Sequence, residues 1–173
     1  MELVVADVDD EAFLLDLLNT TPVIDGVVYD ELTDPAVARH WLRAHGVSTT
    51  KEETAALVEV RAVLQDVVRG DRSAAALRPF VAGAQLRPVV KPDRIDWRIE
   101  PGDAPAAAAR AVLAWDALRI SSPGRLRPCA NTECRLFLID RSKPNTARWC
   151  SMAICGNRMK ARRHYRRTHA GDE

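Results

Sequence analysis

Four cysteines, arranged as two equally spaced pairs, constrain the fold of this 173-residue chain more than any other feature. Cys129 and Cys134 form one pair and Cys150 and Cys155 the other, with four residues inside each pair and 15 between the pairs. Zinc takes four nitrogen or sulfur ligands in a tetrahedron, and two short loops joined by a spacer of hairpin length deliver them without straining the backbone. The spacing therefore predicts one Zn²⁺ held by four thiolates.

Two other interpretations of the cysteines fit less well. Buried free cysteines behave as small hydrophobes, but scattered core residues would not come in two equal pairs flanked by polar Asn131 and Glu133. A finger with two histidine ligands would use His164 and His169, yet only eight residues separate Cys155 from His164, against about 12 in such fingers. It would also leave Cys129 and Cys134 without a role. Because no open coordination position is implied, we expect the zinc to be structural.

The charged residues divide the chain at residue 124. Residues 1–124 carry 20 acidic and 13 basic side chains, a net charge of −7, whereas residues 125–169 carry 12 basic and two acidic ones, a net charge of +10. A Ser-Ser-Pro-Gly break occupies residues 121–124, at the same place. We therefore expect two domains, residues 1–124 and 125–173, and a polyanion as the partner of the second.

The predicted fold is mainly α-helical with a small β-hairpin: a helical N-terminal domain, then a four-cysteine zinc finger made of a hairpin and a helix. Apolar residues at helical spacing predict helices over about residues 9–18, 35–45, 51–69, 73–86 and 104–120. The third of these starts with a capping box, Thr50 to Glu53. Alternating residues near 88–99 predict a hairpin in the first domain. In the finger, residues 136–139 are expected to pair with 147–149, and a helix is expected to start near Ser151.

The C-terminal helix concentrates positive charge, since no acidic residue lies between Asp140 and Asp172. Arg158, Arg162 and Arg166 recur at i, i+4 and i+8, on one face of a helix, where like charges repel each other. The alternative is a basic face that is simply exposed to solvent. A run of basic residues without an acidic one nevertheless favours phosphate binding, because arginine forms bidentate hydrogen bonds with phosphates. The residues expected to contact nucleic acid are Lys143, Arg148, Asn157, Arg158, Lys160, Arg162, Arg163, Arg166 and Arg167.

Several segments resemble a known family. CANTEC, FLIDRS and RWCSMAICGNRMKARR are similar to the zinc finger named for its Cys-Gly-Asn-Arg (CGNR) signature, here residues 155–158. Leu18-Asn19-Thr20, Asp30-Glu31-Leu32 and Trp41-Leu42 resemble, more loosely, the helical domain called ABATE that precedes this finger. The family is chiefly bacterial and is regarded as a group of stress-related transcriptional regulators. Lys143-Pro144 departs from the family pattern at the expected hairpin turn.

The resemblance implies a transcriptional regulator whose finger binds DNA while the N-terminal domain senses a small-molecule ligand or stress signal, or forms a homodimer. Candidate ligand-binding residues are polar groups near aromatic side chains, as pockets usually are: Asn19, Thr20, Asp30, Trp41 and Trp97. Two alternatives stay open. The zinc thiolates could act as a redox switch, or the basic module could dock an acidic protein partner, including this chain's own acidic domain.

Other classes of function find no support in the residues. The sequence contains no glycine-rich phosphate loop, no Ser/His/Asp set and no paired His-carboxylate motif, so we do not expect an enzyme. It also has no run approaching the roughly 20 apolar residues of a membrane span, and its acidic N-terminus is unlike a signal peptide. The expected location is the cytoplasm.

Overall fold

The computed structural model describes residues 8–100 and 105–169. Its α-helices are α1 (Val8–Leu18), α2 (Pro35–Ala44), α3 (Lys51–Arg69), α4 (Ala106–Ser121) and α5 (Asn157–His169), with a 3₁₀ helix at Ala74–Val81 and a π-helical turn at Met152–Gly156. Its strands are β1 (Val23–Ile24), β2 (Val27–Val28), β3 (Gln85–Val90), β4 (Ile95–Glu100), β5 (Leu126–Pro128) and β6 (Phe137–Ile139). They form three antiparallel pairs, β1–β2, β3–β4 and β5–β6. The predicted class, mainly helical with small β-hairpins and a C-terminal cysteine cluster, is confirmed.

Helices α1, α3 and α4 pack around the hydrophobic core. Leu14, Leu57 and Leu64 are fully buried there. The alanine-rich start of α4 faces the same core, and Ala108 and Ala111 are also fully buried. Small side chains let the helix backbones approach closely, so this alanine run serves packing.

Side chains at the start of α3 cap that helix and also the start of α4. Thr50 Oγ1 accepts from the Glu53 N–H at 3.2 Å, as the capping box predicts. The Glu53 carboxylate, however, does not complete that box: it accepts from the N–H groups of Ala106 and Ala107, both at 3.2 Å, in the first turn of α4. Pro105 gives α4 no side-chain cap of its own, so Glu53 supplies one across the helix pair.

The helix predicted over residues 73–86 is wrong in length and type. Only Ala74–Val81 is helical, as a 3₁₀ segment, and it contains Pro79. Proline lacks the N–H that an α-helix needs and clashes with the preceding turn. Gly83 then adopts a left-handed conformation, φ 72°, which ends the segment and directs the chain into β3. The predicted hairpin that follows is confirmed as β3–β4.

The hairpin predicted inside the finger is also wrong in its partner. Strand β6 pairs with β5, in the register Leu126 with Ile139 and Pro128 with Phe137, rather than with residues 147–149. The Ala147 N–H donates to the Asp140 carboxylate and the Arg148 carbonyl accepts from the Ala130 N–H, so these backbone groups are engaged elsewhere. Phe137 is 1% exposed and belongs to the same hydrophobic cluster as residues of α1 and α3. Strand β6 therefore faces the helical half of the chain.

No helix among the described residues combines the length and the apolar character needed to cross a membrane.

Candidate metal centre and basic helix

The four cysteines meet at one point, with all four Sγ atoms within 4.8 Å of one another. The Cys134 and Cys150 sulfurs are 3.7 Å apart, as are those of Cys150 and Cys155. Zn–S bonds of about 2.3 Å in a tetrahedron place sulfurs about 3.8 Å apart. The thiol geometry therefore fits one zinc ion, as the spacing predicts.

Backbone hydrogen bonds position the first pair of cysteines. The Cys129 N–H donates to the Leu136 carbonyl at 2.8 Å, which continues the β5–β6 pairing, and the Cys134 N–H closes a turn on the Asn131 carbonyl at 2.8 Å. The Ala130 N–H donates to the Arg148 carbonyl at 2.8 Å and so ties this loop to the second one.

In the second pair, Cys150 precedes the π-helical turn that leads into α5, and Cys155 lies within that turn. Ser151 caps the turn by accepting from the Ile154 N–H at 3.3 Å. A Cβ atom at Gly156 would lie 2.9 Å from the end of the Met152 side chain and 3.3 Å from the Trp149 ring, so glycine leaves room for both side chains. Because Cys155 lies two residues before α5, the metal centre holds the first turn of this basic helix in place.

Asn131 is fully buried beside the metal centre. Its Nδ2 lies 3.6 Å from the Cys155 sulfur, and its Oδ1 accepts from the Glu133 N–H at 3.3 Å. A hydrogen bond donated to a thiolate offsets part of its charge and orients it toward the metal. From the sequence, Asn131 is recognisable only as a polar neighbour of the cysteines.

Burial opposes ionisation of the thiols in the absence of a cation. Burial raises the pKa of Cys134 to about 11 and, together with the adjacent thiols, raises that of Cys150 as well. Burial also opposes ionisation of Cys155, but the hydrogen bonds from Asn131 and the neighbouring thiols outweigh it and lower that pKa. A dication within reach of all four sulfurs would let them ionise together.

A buried carboxylate organises the loop between the two cysteine pairs. Asp140 is 1% exposed; it accepts from the N–H groups of Ser142 at 2.8 Å and Ala147 at 2.7 Å, and from Arg127 at 3.1 Å. The hydrogen bonds from Ser142 and Ala147 and the charge of Arg127 hold the pKa of Asp140 below its usual range. Asn145 turns the loop with a left-handed φ of 52°. Sequence reasoning missed this role of Asp140.

The finger is anchored on the helical half by Asn19, at the end of α1. Its Oδ1 accepts from the Phe137 N–H at 2.7 Å, and its Nδ2 donates to the Phe137 carbonyl at 3.2 Å. The Arg69 guanidinium lies 4.7 Å above the Phe137 ring and also donates to the Arg135 carbonyl. These contacts join the ends of α1 and α3 to β6.

Most of the residues predicted to bind nucleic acid are exposed: Lys143, Arg148, Asn157, Arg158, Lys160, Arg163 and Arg167. Arg162 is half-buried and forms an ion pair with Glu133, whose pKa it lowers. The Arg148 guanidinium lies 5.3 Å from the centre of the Trp149 ring. Arg166 lies in α5, but its side chain is outside the described part of the chain.

The candidate ligand-binding residues do not converge on one site. Thr20 and Asp30 do meet, because both bind the buried guanidinium of Arg61, at 2.7 Å for Thr20 and at 2.8 and 2.6 Å for the two Asp30 oxygens. Burial raises the pKa of Asp30, but the hydrogen bonds and charge of Arg61 outweigh it and lower the pKa overall. Asn19 accepts a hydrogen bond from the Phe137 N–H and does not contribute to this group.

The two tryptophans of that set lie elsewhere. Trp41 is in the core, where its ring stacks on His45 at 4.0 Å and lies 5.7 Å from that of Phe13. Trp97 is exposed on β4, beside a cavity of about 340 Å³ that Arg98 also lines. Trp41 therefore serves the packing of the core, and a ligand site remains a prediction.

Two family profiles match the chain. Residues 125–168 match the profile described as "CGNR zinc finger". Residues 11–122 match the ABATE profile, described as "Putative stress-induced transcription regulator". Among the curated proteins, none matches this sequence.

Proposed function

The chain belongs to the ABATE family and carries a CGNR zinc finger, and from this premise we propose that it regulates transcription by binding DNA through α5. In this proposal the protein is not an enzyme and acts in the bacterial cytoplasm, where the chromosome is. A zinc ion held by Cys129, Cys134, Cys150 and Cys155 would keep the finger folded. The N-terminal domain would supply the response to a ligand or stress signal.

The observation that carries this proposal is the charge and exposure of α5. Lys160, Arg163 and Arg167 are exposed, and within the described residues none of them has an ion-pair partner. Cations at a fixed spacing on a rigid helix displace the counterions of a nucleic acid, which makes binding favourable and salt-dependent. The metal centre anchors the first residues of α5 and thus presents these cations in a defined orientation.

A connection between the two halves supports the regulatory part of the proposal. Asn19 and Phe137 join the end of α1 to the strand that leads into the cysteine loops. A signal that moved α1 would act directly on β6 and, through it, on the finger. Dimerisation would raise the affinity further, because a single small finger buries little DNA surface.

The test is a titration of full-length, zinc-loaded protein with duplex DNA over a series of salt concentrations. We expect the logarithm of the association constant to fall linearly with the logarithm of salt concentration, with a slope of about −0.9 for each phosphate neutralised. A variant with Lys160, Arg163 and Arg167 changed to alanine should lose between two and three units of that slope. The matched control changes Arg39, Arg43 and Arg78, three exposed arginines of the N-terminal half, to alanine.

Both triple variants remove the same charge, so net charge alone cannot explain a difference between them. Equal losses in the two variants would overturn the assignment of α5 as the DNA surface. No DNA binding by protein with one zinc per chain would overturn the proposed function and favour an acidic protein partner.

The partial exposure of two adjacent thiols favours a second candidate function, the redox switch. The Sγ atoms of Cys134 and Cys150 lie 3.7 Å apart, and both residues are partly exposed beside a groove of about 440 Å³. Hydrogen peroxide would convert the two thiolates, with two protons, into one disulfide and two water molecules, and zinc would be released. Zinc release at equimolar peroxide, measured with a colorimetric chelator, supports this role, and retention of zinc at a large excess contradicts it.

A further inference from the structure

Resting on the proposed function, we propose that α5 enters the major groove of duplex DNA and reads base edges through Asn157 and His164. The inference comes from how side chains are distributed around this helix, where successive residues are rotated by about 100°.

One side of α5 faces the protein. Met159 and Arg162 are half-buried, and Arg162 is held by its ion pair with Glu133. The other described side chains of α5 are exposed. The orientation of the helix on the finger is therefore fixed, and so is the face that a partner would meet.

The face opposite Met159 and Arg162 carries no charge. It consists of residues that recur at i, i+4, i+7 and i+11 and are all exposed: Asn157, Ala161, His164 and Thr168. Thr168 Oγ1 donates within the helix, to the carbonyls of His164 and Tyr165. Asn157 and His164 are therefore the side chains of this face whose polar groups can form hydrogen bonds with a partner.

Cations flank this uncharged face on both sides. Lys160, Arg163 and Arg167 form a row along one flank, and Arg158 lies on the other. Arg162, one turn further along on the side of Arg158, is already paired with Glu133 and faces the protein. A helix lying on one phosphate strand would need cations along a single side, whereas a helix in a groove has phosphates on both sides and bases in front.

The dimensions and the chemistry both favour the major groove of DNA. That groove is about 12 Å wide and admits an α-helix, while the minor groove, about 6 Å wide, does not. The major groove of A-form RNA is too deep and narrow for such access. Ala161, between the two polar residues, is small enough to let the helix come close to the bases and can contact a thymine methyl group.

The two polar side chains have groups free for base edges. Asn157 Nδ2 donates to the Ala153 carbonyl at 3.2 Å, which leaves its Oδ1 and its second N–H. Asparagine pairs well with adenine, which presents one donor and one acceptor in the major groove. The His164 ring has no hydrogen-bond partner within the described residues and is exposed, so its two nitrogens can donate or accept.

The experiment first selects a preferred site from a random duplex library with full-length, zinc-loaded protein. The variants Asn157→Ala and His164→Ala are then compared with wild type on that site and on an unrelated duplex. We expect each variant to lower the ratio of specific to non-specific affinity about 5- to 150-fold, the range of one base contact, with the salt slope unchanged. His40→Ala, an exposed histidine on α2, and Thr146→Ala, in the finger loop, are the controls.

Footprinting tests the groove directly. Dimethyl sulfate methylates guanine N7 in the major groove and adenine N3 in the minor groove, so bound protein should protect the guanines alone. Protection of adenine N3 only, or displacement by a minor-groove ligand such as distamycin, overturns this inference while leaving DNA binding intact. An unchanged specificity ratio in both variants, each with its zinc content verified, overturns it as well. Absence of any duplex binding by wild type would instead contradict the proposed function on which it rests.

Discussion

Asn19 connects the two halves of the chain through both hydrogen-bonding groups of the Phe137 peptide. Asn19→Ala should lower the free energy of unfolding by about 2 kcal/mol, because a partly buried N–H and C=O lose their partner. Asn19→Asp keeps the acceptor for the Phe137 N–H but presents no donor to its carbonyl, so we expect a smaller loss than for alanine. Urea unfolding of the zinc-loaded proteins measures both values. Equal stability of all three proteins would contradict the role given to this side chain.

The ion pair of Asp30 with Arg61 leads to a prediction about pH. The pKa of Asp30 is lowered in the folded protein, so its contribution to stability is present above the unfolded pKa of about 3.9 and is lost as pH falls through the folded value. Asp30→Asn should destabilise the protein at pH 7 by about 3 kcal/mol, because it leaves the buried Arg61 charge unpaired. The difference from wild type should shrink below pH 4. A difference that stays constant between pH 7 and pH 3 would contradict this account.

At the scale of single residues, the sequence predicted the metal ligands but not the side chains that support them. The four cysteines can be predicted as ligands because a structural four-thiolate zinc site requires four of them at short spacing in the sequence. Asn131 and Asp140 are buried beside or between the cysteine loops, yet asparagine and aspartate are common in exposed turns as well. Their roles depend on a three-dimensional loop that no local pattern specifies. The same applies to Thr20 and Asp30, whose contacts with Arg61 join residues far apart in the sequence.

Helix α4 begins without a cap of its own, and Glu53 of α3 takes that place. Glu53→Ala should therefore destabilise the α3–α4 pair by about 1 kcal/mol, through loss of a charged acceptor at a helix N-terminus. Glu53→Gln keeps an acceptor without the charge, so we expect a smaller loss. Hydrogen exchange of the Ala106 and Ala107 amides locates the effect. Glu52→Ala, an exposed neighbour in the same turn, is the control, and an equal effect there would contradict the assignment.

Helices and strands were predicted correctly where one local sequence signal was strong. They were predicted poorly where the sequence fitted two different structures. Asp34 and Thr50 cap α2 and α3, and both helices start where the sequence predicts, because capping depends on residues within one turn. The segment 73–86 contains alanine, which favours an α-helix, and Pro79, which opposes one. The segment forms a short 3₁₀ helix, as the proline favours. In the finger, β6 could pair with either flanking segment, and the burial of Phe137 against α1 and α3 coincides with pairing to β5.

Across the whole molecule, the charge division at residue 124 coexists with a continuous hydrophobic core. The family profiles match on either side of this position, at 11–122 and 125–168. Phe137 nevertheless lies in the same buried cluster as Leu17 and Leu64 of the helical half. The sequence alone does not reveal this position of Phe137, because an aromatic residue beside cysteine pairs fits a small core of the finger equally well. Only the packing shows that one side chain serves both halves.

This shared core predicts that zinc stabilises the helical half as well as the finger. Chelation at pH 7 should release the cysteine loops and weaken the hold on β6, so that Phe137 no longer stays packed against α1 and α3. If the full contribution of that side chain is lost, the cost is about 3–5 kcal/mol, or roughly 10 °C in Tm for a chain of this size. Thermal unfolding followed by the helical circular dichroism signal measures the shift, with α1 and α3 amide exchange as a local readout.

A double-mutant cycle separates this coupling from a general effect of metal removal. Phe137→Ala should lower the Tm of the zinc-loaded protein, and chelation should then lower the Tm of this variant much less than it lowers that of wild type. Leu77→Ala removes a buried side chain of the 3₁₀ segment instead, so its effect should add to that of chelation. If the effects of chelation and Phe137→Ala are additive, or if chelation leaves the Tm of wild type unchanged, the two halves are energetically independent. In that event a signal in the helical domain could not reach α5 through this contact.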